Sequence, residues 1–382
     1  MDSSEFWWYL SRHAHGGDTM HFGIIADRNP QEHRVVLSPY GVEELVANGH
    51  EVTVEQGAGG RARFSDADYQ QFGATIAYSR DEAWLRPDML LRVRPPELDE
   101  VGLMRDGQVF GGYLELPLIP KPLREAYKTR KLTMLAFEEM IDEGGRWPLL
   151  APLSMIAGRM LPQIAARYLE TFEGGRGKLI CGVPGVAPCN IAIIGAGMLG
   201  STATQMFQLM GARVTVLDHD HRQLERLVSN TIGHLTTLSA SPGNIGRVVR
   251  GADVLILAIH SELGVCEKII ERAHLKTMQP RSLIIDASIT QSGAAETSRP
   301  TDVLNPTYIV DDIIHYCVPR ITATVARTAS RAVASAIVPY LLRFAEQPLD
   351  HALATYKEFD TGLVCIDGVM RRKYEYLADN QE

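Results

Sequence analysis

Short apolar runs alternate with helical periods along most of this chain. HFGIIAD, EVTVEQ, ATIAY, DMLLRV, QVFGGYLEL and LTMLAFEEM are bounded by Gly, Pro, Asn or Asp and predict strands, while PYGVEELVANG predicts a helix that stops at Gly49. A second set, NIAIIG, ARVTVLD, ADVLILAI, RSLIIDAS and TYIVDD, repeats the pattern after a long predicted helix, LSMIAGRMLPQIAARYLE. Strands this apolar suit a parallel sheet covered on both faces, and the intervening helices supply its crossovers. A last helix, TASRAVASAIVPYLLRF, needs a surface for its apolar side. Returning it to the first set makes that domain discontinuous. The expected plan is α/β and doubly wound: a first domain over 21–148 and 315–382, a second over 149–314, and an N-terminal extension over 1–20. That extension either packs Trp7 and Trp8 on the body or on a partner subunit, or precedes a natural start at Met20.

One charge breaks the pattern. Glu115 sits inside GGYLELP, within a segment expected to be a buried strand. An isolated carboxylate there costs several kcal/mol or takes up a proton, so a function or a partner is required.

Composition narrows the partners. A length of 382 residues suits about two domains, and 45% apolar with 22% charged residues is ordinary globular composition. The net charge of -8, with Arg371-Arg372-Lys373 the longest basic cluster, excludes a nucleic-acid footprint and favours a small-molecule partner. Five scattered cysteines lack metal-ligand spacing and suggest reduced thiols. No run is long and apolar enough to span a bilayer and the start lacks a basic secretion signal, so a cytoplasmic protein without metal is expected.

The sharpest motif is NIAIIGAGMLGSTATQMFQLMGARVTVLD. Gly195, Gly197 and Gly200 follow an apolar strand, Met198 opens the next helix, and Asp218 ends a second strand about twenty residues on. The glycines allow a tight turn, close approach of a pyrophosphate and close helix packing, with the helix N-terminus facing the anion. Asp218 accepts from ribose hydroxyls and repels a 2'-phosphate, which favours NAD over NADP; Arg222 nearby weakens that preference.

HFGIIADRNPQEHRVVLSPYGVEELVANGHEVTVEQGAG, PLLAPLSMIAGRM, GGRG, CGVPGVAP, the glycine motif and IIHYCV together resemble, in order and spacing, the alanine dehydrogenase and pyridine nucleotide transhydrogenase NAD-binding-subunit family, to which lysine-forming saccharopine dehydrogenase is related. The resemblance implies two Rossmann-like domains flanking a cleft, NAD in the second, and a homo-oligomer, dimer or hexamer. It also implies site residues. Arg34 of RVVLSP keeps the family's carboxylate-gripping arginine, Arg94 of RVRPPE falls on its substrate-binding lysine, and Glu115 falls on its catalytic histidine. Thr290 replaces its aspartate, and Arg320 of HYCVPR falls on its asparagine. Glu138 matches a glutamate near the family's cleft, Ser154 a serine near the cofactor, and Asp286 is expected to orient a loop near the nicotinamide.

Guanidinium keeps its proton where a lysine can shed one, so these exchanges alter chemistry and not only size. In one reading Glu115 handles a proton or pairs with a substrate ammonium, while Arg34, Arg94 and Arg320 hold carboxylate. In the other, Glu115 and Arg94 form an ion pair that fills a site without catalysis. The first predicts an NAD-dependent oxidoreductase acting at the α-carbon of an amino, imino or 2-oxo acid other than alanine, in specialised metabolism; a pocket rich in guanidinium suits an acidic, bulkier or N-substituted substrate. The alternatives are a redox-neutral lyase or cyclodeaminase-type enzyme, and an inert NAD-binding regulator.

Overall fold

The computed structural model describes residues 19–116, 119–231, 233–261, 264–347, 349–371 and 374; the predicted extension over 1–20 lies outside these but for its last two residues. The chain forms two compact units, Met1–Leu153 with Ala323–Glu382, and Ser154–Thr322.

The first unit is built on β1 (His21–Ile24), β2 (Glu51–Glu55), β3 (Thr75–Ala77), β4 (Met89–Leu91), β5 (Val109–Gly112), β6 (Thr133–Ala136), β14 (Leu363–Ile366) and β15 (Val369–Met370). Their order is β15-β14-β6-β5-β4-β1-β2-β3. Pairing is parallel from β6 across to β3 and antiparallel at β14 and β15. Ile25, Trp84, Leu90, Phe110, Met134 and Val364 share one core beside this sheet. Helix α1 (Pro39–Ala47) starts with proline at its first position, where a missing N–H is harmless.

The second unit contains β7 (Asn190–Ile194), β8 (Arg213–Asp218), β9 (Thr236–Ser239), β10 (Val254–Leu257), β11 (Leu283–Asp286), β12 (Thr307–Val310) and β13 (Ile313–Tyr316), ordered β12-β13-β11-β10-β7-β8-β9. Only the edge pair β12–β13 is antiparallel. Strand alternation sends Ile191, Ile193, Val254 and Ile256 into one core and Ala192, Ile194, Leu255 and Leu257 into another. That two-sided burial explains the nearly unbroken apolar runs. Helix α2 (Ala151–Tyr168) leads into this unit, and α3 (Met198–Leu209) follows its first strand.

The final helix α4 (Ala326–Ala345) covers its apolar side in the first unit. A Cβ on Gly41 would lie 3.3 Å from side-chain atoms of both Ala334 and Val338, tighter than ordinary contact, so the glycine in α1 lets the helices approach closely without displacing them. The Val35 N–H also donates to Ser330 Oγ at 2.9 Å, which ties the RVVLSP segment to α4.

Two expectations need correction. Residues 315–322 belong to the second unit, because β13 completes its sheet against β11 and β12; residues 149–153 belong to the first. The strand bearing GGYLELP ends at Gly112, and Glu115 lies in the following loop, half-buried, so it is not inside a buried strand.

Candidate functional site

The predicted site residues divide between the units. In the first sheet, chain order runs outward in both directions from the neighbours β1 and β4. Open α/β sheets bind ligands beside the carboxyl ends of their strands at such a reversal. The segments leaving β1, β4, β5 and β6 carry Asp27, Arg94, Glu115 and Glu138 respectively.

Arg34 is buried and already held. Its Nε and Nη2 donate to the two carboxylate oxygens of Glu32 at 2.7 and 2.6 Å, and its backbone N–H donates to Glu32 Oε1 at 3.0 Å. Charge-assisted forks of this kind fix a guanidinium plane before any ligand arrives. Arg94 donates from Nη1 to Asp27 Oδ1 at 3.3 Å and from Nη2 to Glu97 Oε1 at 3.1 Å. Its Nε and Asp27 Oδ2 are buried with no hydrogen-bond partner among the described residues. Burial pushes the Asp27 carboxyl above its ordinary range, opposed by Arg92 and Arg94. Two unsatisfied polar atoms in one pair are unfavourable for stability, and such groups concentrate where chemistry requires them.

The Glu115–Arg94 ion pair of the second reading does not form: Arg94 pairs with Asp27 and Glu97, since Asp27 leaves the strand next to β4. Arg34 and Glu138 both lie within electrostatic reach of Glu115. Glu115 has φ of 50°, the left-handed region, which is unfavourable by about 1–2 kcal/mol for a residue with a Cβ. Glu138 maintains this bend by accepting the Glu115 N–H at 2.6 Å and the Leu114 N–H at 3.1 Å on separate carboxylate oxygens. Tyr113, two residues earlier, donates its hydroxyl to Leu149 O at 2.8 Å. Sequence reading missed Asp27 and Glu32. Their available signals were an acid immediately after an apolar strand and an acid two residues before the predicted carboxylate-binding arginine.

In the second unit the reversal falls between β7 and β10, beside the glycine motif. A Cβ on Gly195, whose φ is 109°, would lie 2.2 Å from Ala258 O, and one on Gly200 would lie 1.8 Å from Gly195 O. Both positions therefore exclude a side chain by backbone contact. A Cβ on Gly197 would meet nothing within 4 Å, which leaves open space at the N-terminus of α3, where Met198 is the first helical residue. This is the environment that a pyrophosphate requires. Asp218 is buried, with Oδ2 accepting the Ala196 N–H at 2.6 Å and Oδ1 accepting the Asp220 N–H at 2.8 Å. These bonds fix the carboxylate beside the turn and leave lone pairs for ribose hydroxyls. Arg222 is drawn instead to Asp220, at 3.2 Å, so its expected weakening of NAD preference loses its geometric basis. The residues present fit NAD.

Asp218→Asn is expected to lower NADH affinity about tenfold, a 1.4 kcal/mol effect, and to narrow its advantage over NADPH. Fluorescence titration of both cofactors checks this; an unchanged affinity ratio would remove Asp218 from recognition of the ribose.

The remaining candidates have plainer geometry. Ser154 lies one helical turn before Gly158 on α2, where a Cβ on Gly158 would approach Leu199 O to 2.6 Å; the shared face is the one packed on α3. Asp286 is fully engaged within its own loop, accepting from Ser288 N at 2.9 Å, Ala294 N at 2.8 Å and Ser298 Oγ at 2.6 Å. It organises residues 288–298. Arg320, with φ of 55°, belongs to the second unit. Buried His315 is held between Ile313 O and Thr297 Oγ1 at 3.0 and 2.8 Å, a structural arrangement. Among the described residues no His, Cys, Asp and Glu group of three or more has the arrangement to hold a metal ion, and no helix is long and apolar enough to cross a membrane.

The family models for the alanine dehydrogenase/PNT N-terminal and C-terminal domains match residues 23–157 and 162–373. An alanine dehydrogenase of Halomonas elongata is 38% identical over 349 residues, covering 91% of this chain and 94% of that protein. A solved L-alanine dehydrogenase aligns with a TM-score of 0.88 at 34% identity, covering 94% of this chain and 99% of the other. A transhydrogenase from Sinorhizobium meliloti aligns at 0.76 with 20% identity, covering 92% and 98% of the two chains, which is a likeness of fold. With both family models matched and the glycine turn intact, this chain belongs to the alanine dehydrogenase/PNT family and is an NAD(H)-dependent oxidoreductase.

Proposed function

We propose that the protein transfers hydride between NAD and the α-carbon of an amino or imino acid other than alanine. The observation that carries this reading is the chemistry at two positions. Where the resemblance places a lysine, Arg94 is held by Asp27 and Glu97; where it places a histidine, Glu115 is held in a left-handed bend by Glu138. An arginine that remains protonated does not exchange a proton with substrate, so that task passes to Glu115. Bound NAD supplies hydride acceptance. Arg34 orients the substrate carboxylate with the face of its guanidinium set by Glu32, and Glu115 takes the proton released from the substrate nitrogen.

The charge balance modifies the substrate expectation. Glu32 neutralises Arg34, and Asp27 and Glu97 neutralise Arg94, so the excess of guanidinium that suggested an acidic side chain is cancelled by the chain's own carboxylates. Bulkier or N-substituted amino acids remain the better fit. We also place the protein in the cytoplasm as a homo-oligomer, a reading supported by the resemblance.

Nicotinamide absorbance tests the reading with NAD plus amino acids in one direction and NADH plus 2-oxo acids with ammonia or amines in the other. The expected result is a higher kcat/KM for a bulkier or N-substituted amino acid than for L-alanine. L-alanine as the best substrate overturns the specificity; silence across the panel, with NADH demonstrably bound, overturns the net redox reaction.

A further inference from the structure

We propose that Glu138 is a positioning residue for Glu115, its carboxyl group bridging from the end of β6 to two successive amides in the loop after β5 and so setting the direction in which Glu115 leaves the sheet. This inference rests on the reading of Glu115 as the group that handles the substrate proton. The two bonds, 2.6 Å to the Glu115 N–H and 3.1 Å to the Leu114 N–H, span the peptide on which the chain turns left-handed. A loop residue at positive φ persists only where its surroundings over-determine it. Here the neighbouring strand does so: β5 and β6 are paired through Gly112 and Ala136, and Glu138 follows that last pair.

The same bridge gives the site a pH dependence. Burial pushes the Glu138 carboxyl up to about 8, with Glu139 and Glu115 adding to the rise and the amides of Glu138 and Glu115 opposing it. Among the described residues, Tyr113 on the β5 loop, Arg34 beyond Glu115, and Tyr374, whose hydroxyl donates to Glu139 at 3.4 Å, also lie in its electrostatic surroundings. When the loop opens, Glu138 returns to water and to an ordinary carboxylate pKa near 4.3. The closed loop therefore binds the extra proton. Its stability is fully present below the ordinary value, falls as pH rises towards about 8, and levels off above that.

Hydrogen exchange of a peptide containing residues 113–116, corrected for intrinsic rates, reads this directly in the full-length protein. In the wild type, protection should fall with pH between about 4.5 and 8, by up to tenfold per unit, the limit for one proton. Glu138→Gln should abolish that slope, because an amide does not titrate, and should remove an apparent group near 8 from the kcat profile of the best panel substrate. Glu138→Asp, which keeps a charge but shortens the reach, should retain a slope with at least tenfold lower protection at every pH. The same slope in Glu138→Gln as in the wild type overturns the proposal. Should Glu138→Gln fail to fold, wild-type protection in Glu138→Asp overturns it instead. If Glu115→Gln leaves the rate unchanged while the exchange results hold, the fault lies with the assigned role of Glu115 and not with the Glu138 bridge.

Discussion

Glu115→Gln is expected to lower kcat by about 10²–10⁴-fold for the best substrate, the usual contribution of a positioned acid or base, while NADH affinity stays within twofold. Glutamine preserves shape and backbone and removes the charge and the ability to take up a proton. Because Glu115 lies half-buried past the end of β5, its neutral replacement should shift Tm by no more than about 2 °C, within the range of substitutions outside the core. Rate and stability therefore separate the two roles considered for this residue. A carboxylate that only fills space through an ion pair would leave kcat near its original value and lower Tm by several degrees. Measuring kcat, KM and Tm on one preparation distinguishes them. An unchanged kcat would end the assignment of Glu115 to proton handling.

The second large effect separates binding from packing at the glycine turn. Gly200→Ala places a methyl group 1.8 Å from Gly195 O, a backbone atom that moves only if the whole turn moves. Overpacking of this kind destabilises by about 1–3 kcal/mol, and the displaced turn should lower NADH affinity more than tenfold. Gly197→Ala differs. Its φ of -65° suits alanine and its new methyl group meets nothing within 4 Å, so Tm should be unchanged. The methyl would nonetheless occupy the space at the start of α3 that the pyrophosphate requires, and NADH binding should fall at least as far. Thermal unfolding and NADH fluorescence titration test the pair. If Gly197→Ala binds NADH normally, the pyrophosphate lies elsewhere.

Much of this was legible in local sequence because its cause is local or periodic. Buried parallel strands produce apolar runs, crossover helices produce the spacing between them, and a G-x-G-x-x-G turn between strand and helix has few structural uses. The return of the last helix was legible for a related reason: the apolar side of TASRAVASAIVPYLLRF required cover, and the Ser330–Val35 bond and the close approach at Gly41 are where it found it. The carboxyl-terminal boundary of the second unit was misplaced because β13 reads like any short apolar run, and its partners β11 and β12 are identified only by pairing.

The charges were another matter. Sequence by itself determined that Glu115, Arg34 and Arg94 were present and that the chain carried a G-x-G-x-x-G turn, and the resemblance assigned Arg94 and Glu115 to the family's lysine and histidine positions. Only the tertiary structure decided which acid meets which base. Glu115 left the predicted strand because β5 ends level with β6, and strand ends are set by neighbours distant in sequence. Arg94 found Asp27 because parallel pairing lays β1 beside β4 and brings together residues separated by 67 positions. Propensity and periodicity fix where a backbone runs; the electrostatic partners of a buried charge depend on which strands lie side by side, and that is a property of the folded sheet.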